Sequence, residues 1–303
     1  MEACRKIMNT FVRKKDADFM EVHNDKQILY LTFPLLEKTG LVRHLFSTRK
    51  GGVSKGIYES MNLSYSRGDV KEAVDENFRR IAGIFDSSPE RMVCSRQTHT
   101  TNIRLVGEED CGKGIMKETD YEDVDGLITN LPEIILCTFY ADCVPLYFVD
   151  TQKKAIGLAH SGWRGTVDRM GEQVLKAMEE AFGTRPQDVV AAIGPSICQD
   201  CYEVGEEVAE KFMECFSGEV IGGDFRGNAF NKRGILQKGV KEGKYQLNLQ
   251  EANRTILVDA GIPKGQIAVS DICTCCNSSL LFSHRASQGK RGNLGAFMEL
   301  RKS

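Results

Sequence analysis

Apolar residues in this chain fall into short unbroken runs separated by charged or glycine-bearing stretches. Ile28–Phe33, His44–Thr48, Ile103–Val106, Ile134–Phe139, Val144–Val149, Ala155–His160, Val189–Ile193 and Ile267–Ser270 have the length and β-rich content of strands. Several are continuous rather than alternating, the pattern of strands covered on both faces. Helical spacing appears between them. Asp69–Phe85 carries Val70, Ala73, Val74, Ile81, Ala82 and Phe85 near one face. Thr166–Phe182 does the same with Val167, Met170, Val174, Met178 and Ala181, and Gly183 stops it. Glu203–Phe216 and Leu249–Ala260 follow, the latter closed by Gly261 and Pro263. Strands interleaved with helices predict an α/β fold. Neighbouring strands with no helix between them predict mixed rather than purely parallel sheets, flanked by helices. No repeat, low-complexity tract or Pro/Gly/Ser-rich linker divides the chain. A single compact domain over 26–303 is therefore expected, with 1–25 as a charged, aperiodic tail that packs late or not at all.

Composition narrows the function classes. The chain has 303 residues, 41% hydrophobic and 27% charged, enough to bury a sizeable core. Its 42 acidic and 40 basic residues leave a net charge of −2, so no basic field draws in nucleic acid or an anionic membrane. Apolar runs fall far short of the roughly 18 residues a spanning helix needs. The first residues show no apolar export region. Eleven cysteines without that signal point to free thiols in a reducing cytoplasm rather than to a disulfide framework. The only histidines are His23, His44, His99, His160 and His284.

Three segments set a metal-capable side chain at a strand edge: Arg96-Gln97-Thr98-His99, Ala141-Asp142-Cys143-Val144-Pro145, and His160-Ser161-Gly162-Trp163-Arg164-Gly165. Strand ends are where α/β proteins assemble sites from distant segments. One cysteine and two histidines make a three-donor set with a fourth position open, as in catalytic rather than structural zinc. A thiolate and two neutral imidazoles leave Zn²⁺ with a net charge of about +1, which lowers the pKa of a bound water toward 7. Donors this far apart in sequence fit a buried free cysteine and two hydrogen-bonded core histidines equally well.

The order of longer motifs decides between them. The chain resembles the YfiH/YlmD family, the laccase-domain or polyphenol-oxidase-like proteins regarded as purine nucleoside phosphorylases. The resemblance runs from about Leu41 to Leu300. It rests on Ser47-Thr48-Arg49-Lys50-Gly51-Gly52-Val53-Ser54, Met61-Asn62-Leu63, Gln97-Thr98-His99, Asp125-Gly126-Leu127 and Ala141-Asp142-Cys143-Val144-Pro145. It continues through the His160–Gly165 segment, Ile193-Gly194-Pro195, Cys201-Tyr202-Glu203-Val204, Cys273-Thr274 and Phe282-Ser283-His284-Arg285. The resemblance implies a YfiH-like fold related to that of a cysteine-hydrolase-type toxin deamidase. It implies zinc on His99, Cys143 and His160. The implied activity is phosphorolysis of adenosine, inosine, guanosine and 5′-methylthioadenosine, with phosphate as co-substrate, together with adenosine deamination. Asp142, beside the thiolate, is the candidate proton shuttle. Arg49, in a glycine-bearing loop, and Arg164, four residues after His160, are the phosphate candidates. Asn62, Asn77, Gln97 and His284 complete the expected substrate contacts. Where the family reads Asn-Arg, this chain reads Asn77-Phe78-Arg79-Arg80, so the match stops at Asn77; if the family arginine holds phosphate, either Arg79 substitutes from a shifted face or that function is weakened.

Other readings make different predictions. A multicopper laccase needs about ten histidines, many in His-x-His pairs; five histidines and no such pair disfavour copper. Cys143 with His160 as base would make a cysteine hydrolase or deamidase acting on a small amide or a cell-wall precursor. A nucleoside sensor would bind without turnover. The expected partners are small molecules, not nucleic acid or membrane, and the chain is expected to be a monomer or homodimer. Cys198-Gln199-Asp200-Cys201 and Cys273-Thr274-Cys275-Cys276 read as buried or incidental thiols rather than a structural zinc or redox pair. Trp163 reads as packing, Gly289-Lys290-Arg291-Gly292 as a solvated turn, and His23 and His44 receive no function.

Overall fold

The continuous apolar runs become strands of two stacked sheets. In this computed structural model, residues 11–15, 17–216 and 234–302 are described. The strands are β1 (Glu21–Asp25), β2 (Ile28–Thr32), β3 (Val42–Ser47), β4 (Met92–Cys94), β5 (Ile103–Leu105), β6 (Gly126–Thr129), β7 (Ile135–Tyr140) and β8 (Val144–Asp150). They continue as β9 (Ala155–Ser161), β10 (Val189–Ile193), β11 (Glu203–Gly205), β12 (Leu236–Lys238), β13 (Lys244–Leu247), β14 (Ile267–Val269) and β15 (Leu294–Leu300). The helices are α1 (Pro34–Glu37), α2 (Lys71–Ile84), α3 (Trp163–Val167), α4 (Met170–Phe182), α5 (Glu206–Cys215), α6 (Leu249–Asp259) and α7 (His284–Ser287).

One six-stranded sheet runs β1-β2-β3-β15-β7-β4, the other β14-β10-β8-β9-β6-β5, and β11-β13-β12 form a small third sheet. The pairs β4/β7, β5/β6 and β10/β14 are parallel, whereas the long central pairs are antiparallel, so the sheets are mixed as expected. The main core lies between the two large sheets. Leu31, Phe46, Leu136 and Met298 from one meet Leu127, Tyr147 and Leu158 from the other. On the far face of the second sheet, Leu146 and Phe148 pack against Met170, Val174 and Met178 of α4 and Ile256 of α6. On the far face of the first, Leu45, Ile135 and Phe297 pack against Val74, Phe78 and Ile81 of α2. The order is helix, sheet, sheet, helix. This is why β8 reads as an unbroken apolar run: its odd and even residues enter different cores.

Three expectations change. The tail predicted over 1–25 is packed in its described part; residues 1–10 and 16 lie outside the described residues. Met20 is fully buried, Arg13 pairs with Asp271, Val12 exchanges hydrogen bonds with Asn277, and Glu21–Asp25 is the strand β1. Residues 12–20 are held by partners some 250 residues away, and β1 by the neighbouring β2, so the segment needs no periodicity of its own. The helix predicted from Glu203 starts at Glu206, because Glu203–Gly205 pair with β13 as β11. β15, a central strand buried at every position, is absent from the apolar pattern. Its Gly295 is required, since a Cβ there would lie 2.4 Å from the Phe297 ring.

His44 is a core histidine. Its Nε2 accepts the Phe33 N–H at 2.8 Å and its ring packs edge-on to Tyr147. Burial, reinforced by His23, lowers its pKa from 6.5 to about 3. In the unfolded chain the imidazole protonates near 6.5, while in the fold it stays neutral. Stability is therefore full above pH 6.5 and falls as pH drops toward 3, by about 1.4 kcal/mol per unit from this residue. Denaturant titrations of the wild type and His44→Gln, which cannot titrate, should differ by that slope between pH 6 and 4. Parallel stability curves would refute it.

Candidate metal centre

Adjacent strands bring the distant donors together. β8 and β9 pair with Val144 opposite Ser161 and Pro145 opposite His160, so Cys143, at the turn before β8, reaches the end of β9. β6 flanks β9 on the other side, with Gly126 opposite Ala159, which places Asp125 beside His160. His99 comes from the loop between β4 and β5. The ligand atoms of His99, Cys143 and His160 all lie within 4.8 Å of one another. Cys143 Sγ is 4.0 Å from His99 Nε2, and the two imidazoles meet edge to face with centroids 4.9 Å apart. His99 is exposed, Cys143 half-buried and His160 buried, so the set opens to solvent on the His99 side. A side chain at Gly162 would close it: its Cβ would fall 3.2 Å from Cys143 Sγ and 3.0 Å from the His99 ring.

Asp125 organises this centre and is fully buried. Its carboxylate accepts the backbone N–H groups of Thr98, His99 and Thr100 at 3.0, 3.2 and 3.0 Å. It also accepts the Thr100 hydroxyl at 3.1 Å and His160 Nδ1 at 2.7 Å. One side chain thus fixes both the loop carrying one donor and the ring orientation of another. The strain it holds is visible at His99, whose φ of 69° lies in the left-handed region. Because Nδ1 of His160 faces Asp125, Nε2 is left for the centre. Burial works against the charged forms of both Cys143 and His160. Their mutual attraction outweighs it, aided by Asp125 on the histidine and by His99 on the cysteine. The thiol falls to about 6 and the imidazole rises to about 9. In the sequence Asp125 is visible only as part of the Asp125-Gly126-Leu127 motif; an aspartate at the start of a short strand carries no further signal of this role.

Beside Cys143, Asp142 is buried at a φ of 91°, its two carboxylate oxygens accepting the Thr274 hydroxyl at 2.6 Å and the Arg285 N–H at 2.7 Å. Arg291 does not lie in a solvated turn. It is 9% exposed, its guanidinium donates to Gly292 O and Asn293, and its Nε is buried without a partner. Burial and the neighbouring charge of Arg67 lower its pKa to about 10. Exposed His284 begins α7 near Arg291 and Asp142, and burial of part of its ring, with Arg291, depresses its pKa. Tyr202 is held beneath the Arg285 guanidinium, 5.4 Å from ring to Cζ.

The other expected substrate contacts find partners within the fold. Arg49 donates to the carbonyls of Glu59 and Ser278 at 2.7 and 3.1 Å and lies over the Phe282 ring. Arg164 stacks on Trp163 and lines a groove with it and Lys211 that includes none of the three metal donors. Asn62, fully buried, bonds Ser64 O, Asp69 and the Asn293 N–H. Asn77, also fully buried, ties α2 to Val53, Ser54 and Asn62. Gln97 closes onto the backbone of Phe139 with both ends of its amide, at 2.7 and 2.8 Å, and so positions the His99 loop. Arg79 is turned outward, its side chain 66% exposed and paired in a fork with Glu76. Phe78 takes the inward position on α2, leaving Arg79 on the outer face. Arg80 is the one that reaches the Ser47–Ser54 loop, at Gly51 O, 2.9 Å away.

A family model described as multi-copper polyphenol oxidoreductase laccase matches residues 43–301. Purine nucleoside phosphorylase YlmD of Bacillus subtilis (strain 168) is 36% identical over 259 residues, 85% of this chain and 88% of that protein. Adenosine deaminase RL5, from an unknown prokaryotic organism, is 35% identical over 242 residues, 79% of this chain and 87% of that one. The crystal structure of the Bacillus licheniformis hypothetical protein YfiH has a TM-score of 0.81 at 33% identity, covering 92% of this chain and 99% of that chain. Among the described residues, no helix is long and apolar enough to cross a membrane.

Proposed function

Because the chain belongs to the multi-copper polyphenol oxidoreductase laccase family, with the YfiH and YlmD proteins, we propose that it is a zinc-dependent purine nucleoside phosphorylase. Its proposed substrates are adenosine, inosine, guanosine and 5′-methylthioadenosine, and it would also deaminate adenosine. The observation that carries this is the open three-donor set of His99, Cys143 and His160 under the single carboxylate of Asp125. Two imidazoles and one thiolate suit zinc, with a fourth position left for a reactant. Bound there, the ion supplies a Lewis acid that polarises a substrate oxygen or activates water at neutral pH. The multicopper label fits the residues poorly, since the chain's five histidines cannot build such a cluster.

The chain's own groups divide the remaining work. Asp125 holds the His160 tautomer and the His99 loop. Arg291, cationic, buried and short of a partner at Nε, offers a charge-assisted fork to phosphate, and Arg67 adds field. Arg291 is preferred in this reading because Arg49, Arg79 and Arg164 are already engaged, by Glu59 and Ser278, by Glu76 and by Trp163 respectively. Asp142 retains a second lone pair on each oxygen and is the proton carrier to the purine.

Adenosine incubated with the protein should give adenine only when phosphate is present, and inosine whether or not it is. In Arg291→Gln the KM for phosphate should rise about 10–100-fold through loss of a charge-assisted bond, with deamination little changed. Tight nucleoside binding with neither product would replace the proposal with a sensor. One geometric feature favours a second reading: Cys143, His160 and Asp125 also line up as thiol, base and orienting carboxylate. Full activity in strong chelator with rapid loss on alkylation would establish that hydrolase instead.

A further inference from the structure

Away from the catalytic donors, the fold assembles a second group of sulfurs. Cys198, Cys201, Cys273 and Cys276 come from two Cys-x-x-Cys turns 75 residues apart, and their Sγ atoms all lie within 4.8 Å of one another. The topology accounts for it. β10 and β14 are parallel neighbours, and the chain beyond each continues side by side, with Ser196 bridged to Cys273 and the Thr274 N–H bonded to Ser196 O at 3.1 Å. Each extension then turns through its Cys-x-x-Cys.

We propose that these four cysteines form a closed, structural Zn²⁺ site that clamps the ends of β10 and β14 together. A Zn–S bond of about 2.3 Å gives a tetrahedral S···S edge of about 3.8 Å. The observed Cys201–Cys276 and Cys198–Cys276 separations are 3.5 and 3.9 Å. A disulfide needs sulfurs about 2.05 Å apart in pairs, whereas here all four converge on one point. The Cys273 sulfur also accepts the backbone N–H groups of Cys198 and Cys276 at 3.2 and 3.4 Å, the kind of contact that favours thiolate. Four protein donors leave no position for a reactant, so the role is mechanical.

The clamp bears on the catalytic centre through its neighbours in sequence. Thr274, beside Cys273, holds Asp142. Tyr202 follows Cys201, and Arg285 donates to Cys201 O at 3.0 Å and to Glu203 O at 2.9 Å. The N-terminal segment is fastened to the same turn through Asn277. A zinc at the four thiols would thus fix Asp142, Tyr202 and Arg285 beside the three-donor centre without touching substrate.

Metal analysis tests this independently of any activity. The wild-type chain should hold two zinc ions, and the double variant His99→Ala/Cys143→Ala should keep one. A mercurial thiol reagent should release that remaining ion. Adding Cys276→Ser, at an exposed position, should weaken its retention at least tenfold. If the double variant fails to fold, X-ray absorption at the zinc edge of the wild type decides. A site with four sulfurs and a site with one average to about 2.5 per zinc. A folded double variant without zinc, iron in its place, or disulfides among these cysteines would overturn the proposal. Because the catalytic donors are absent from that variant, failure of the zinc-enzyme reading leaves a different signature: one zinc in the wild type and one in the double variant.

Discussion

A His99→Ala protein is expected to fold, to lose the ion of the catalytic centre, and to retain no more than about a thousandth of wild-type phosphorolysis. The magnitude follows from removing a Lewis acid worth several kcal/mol in the transition state, about 4 kcal/mol being a thousandfold. Folding should survive because His99 is an exposed residue of a loop whose backbone, not whose ring, is anchored by Asp125. Relief of the left-handed strain does not follow, since alanine inherits the same φ of 69°. Zinc content, thermal unfolding and phosphorolysis of inosine are the three measurements. The variant also divides the two chemistries. A Cys143–His160 thiol mechanism keeps its nucleophile, base and orienting carboxylate when His99 is removed. Near-normal turnover without metal would therefore overturn the zinc reading.

Asp125→Asn should be nearly as damaging, though it touches no substrate. The carboxylate receives five donors: three backbone N–H groups, one hydroxyl and His160 Nδ1. An amide offers one acceptor oxygen and turns its own NH₂ against the others. With two or more buried donors left unmatched, stability should fall by about 2–4 kcal/mol. The His160 ring also loses the partner that fixes its tautomer. Loss of such an outer carboxylate typically weakens metal binding 10–100-fold. Competition with a chelator and thermal denaturation of the same sample separate the two effects. Unchanged zinc affinity would show that Asp125 serves the loop alone.

The comparison of Asp125 with His99 also shows what a linear chain discloses. His99, Cys143 and His160 stand out by residue type and by their places at strand ends. Asp125 does not, because its importance lies in the number of donors that converge on it. Arg291 is similar. Between two glycines it reads as a solvated turn, yet it is buried in the fold, next to a Gly292 that packs closely against Asn62. Arg79, expected only as a substitute for the family arginine, is turned to Glu76 by the helical phase of α2. β15 was hidden because glycine, alanine, methionine and glutamate in Leu294–Leu300 carry no strand signal.

The sequence alone determined the element types over most of the core and the mixed character of the sheets, and through the order of its motifs it singled out the cysteine and two histidines of the candidate centre. Local periodicity and side-chain chemistry are properties of short stretches, so they survive in one dimension. Tertiary structure alone decided the pairing of β15 with β3 and β7, the docking of residues 11–25, the hub at Asp125, the buried Arg291 and the meeting of the two Cys-x-x-Cys turns. Most of these join partners far apart in the chain, and the free energy that selects them comes from burial and hydrogen bonding that exist only once both sheets have stacked.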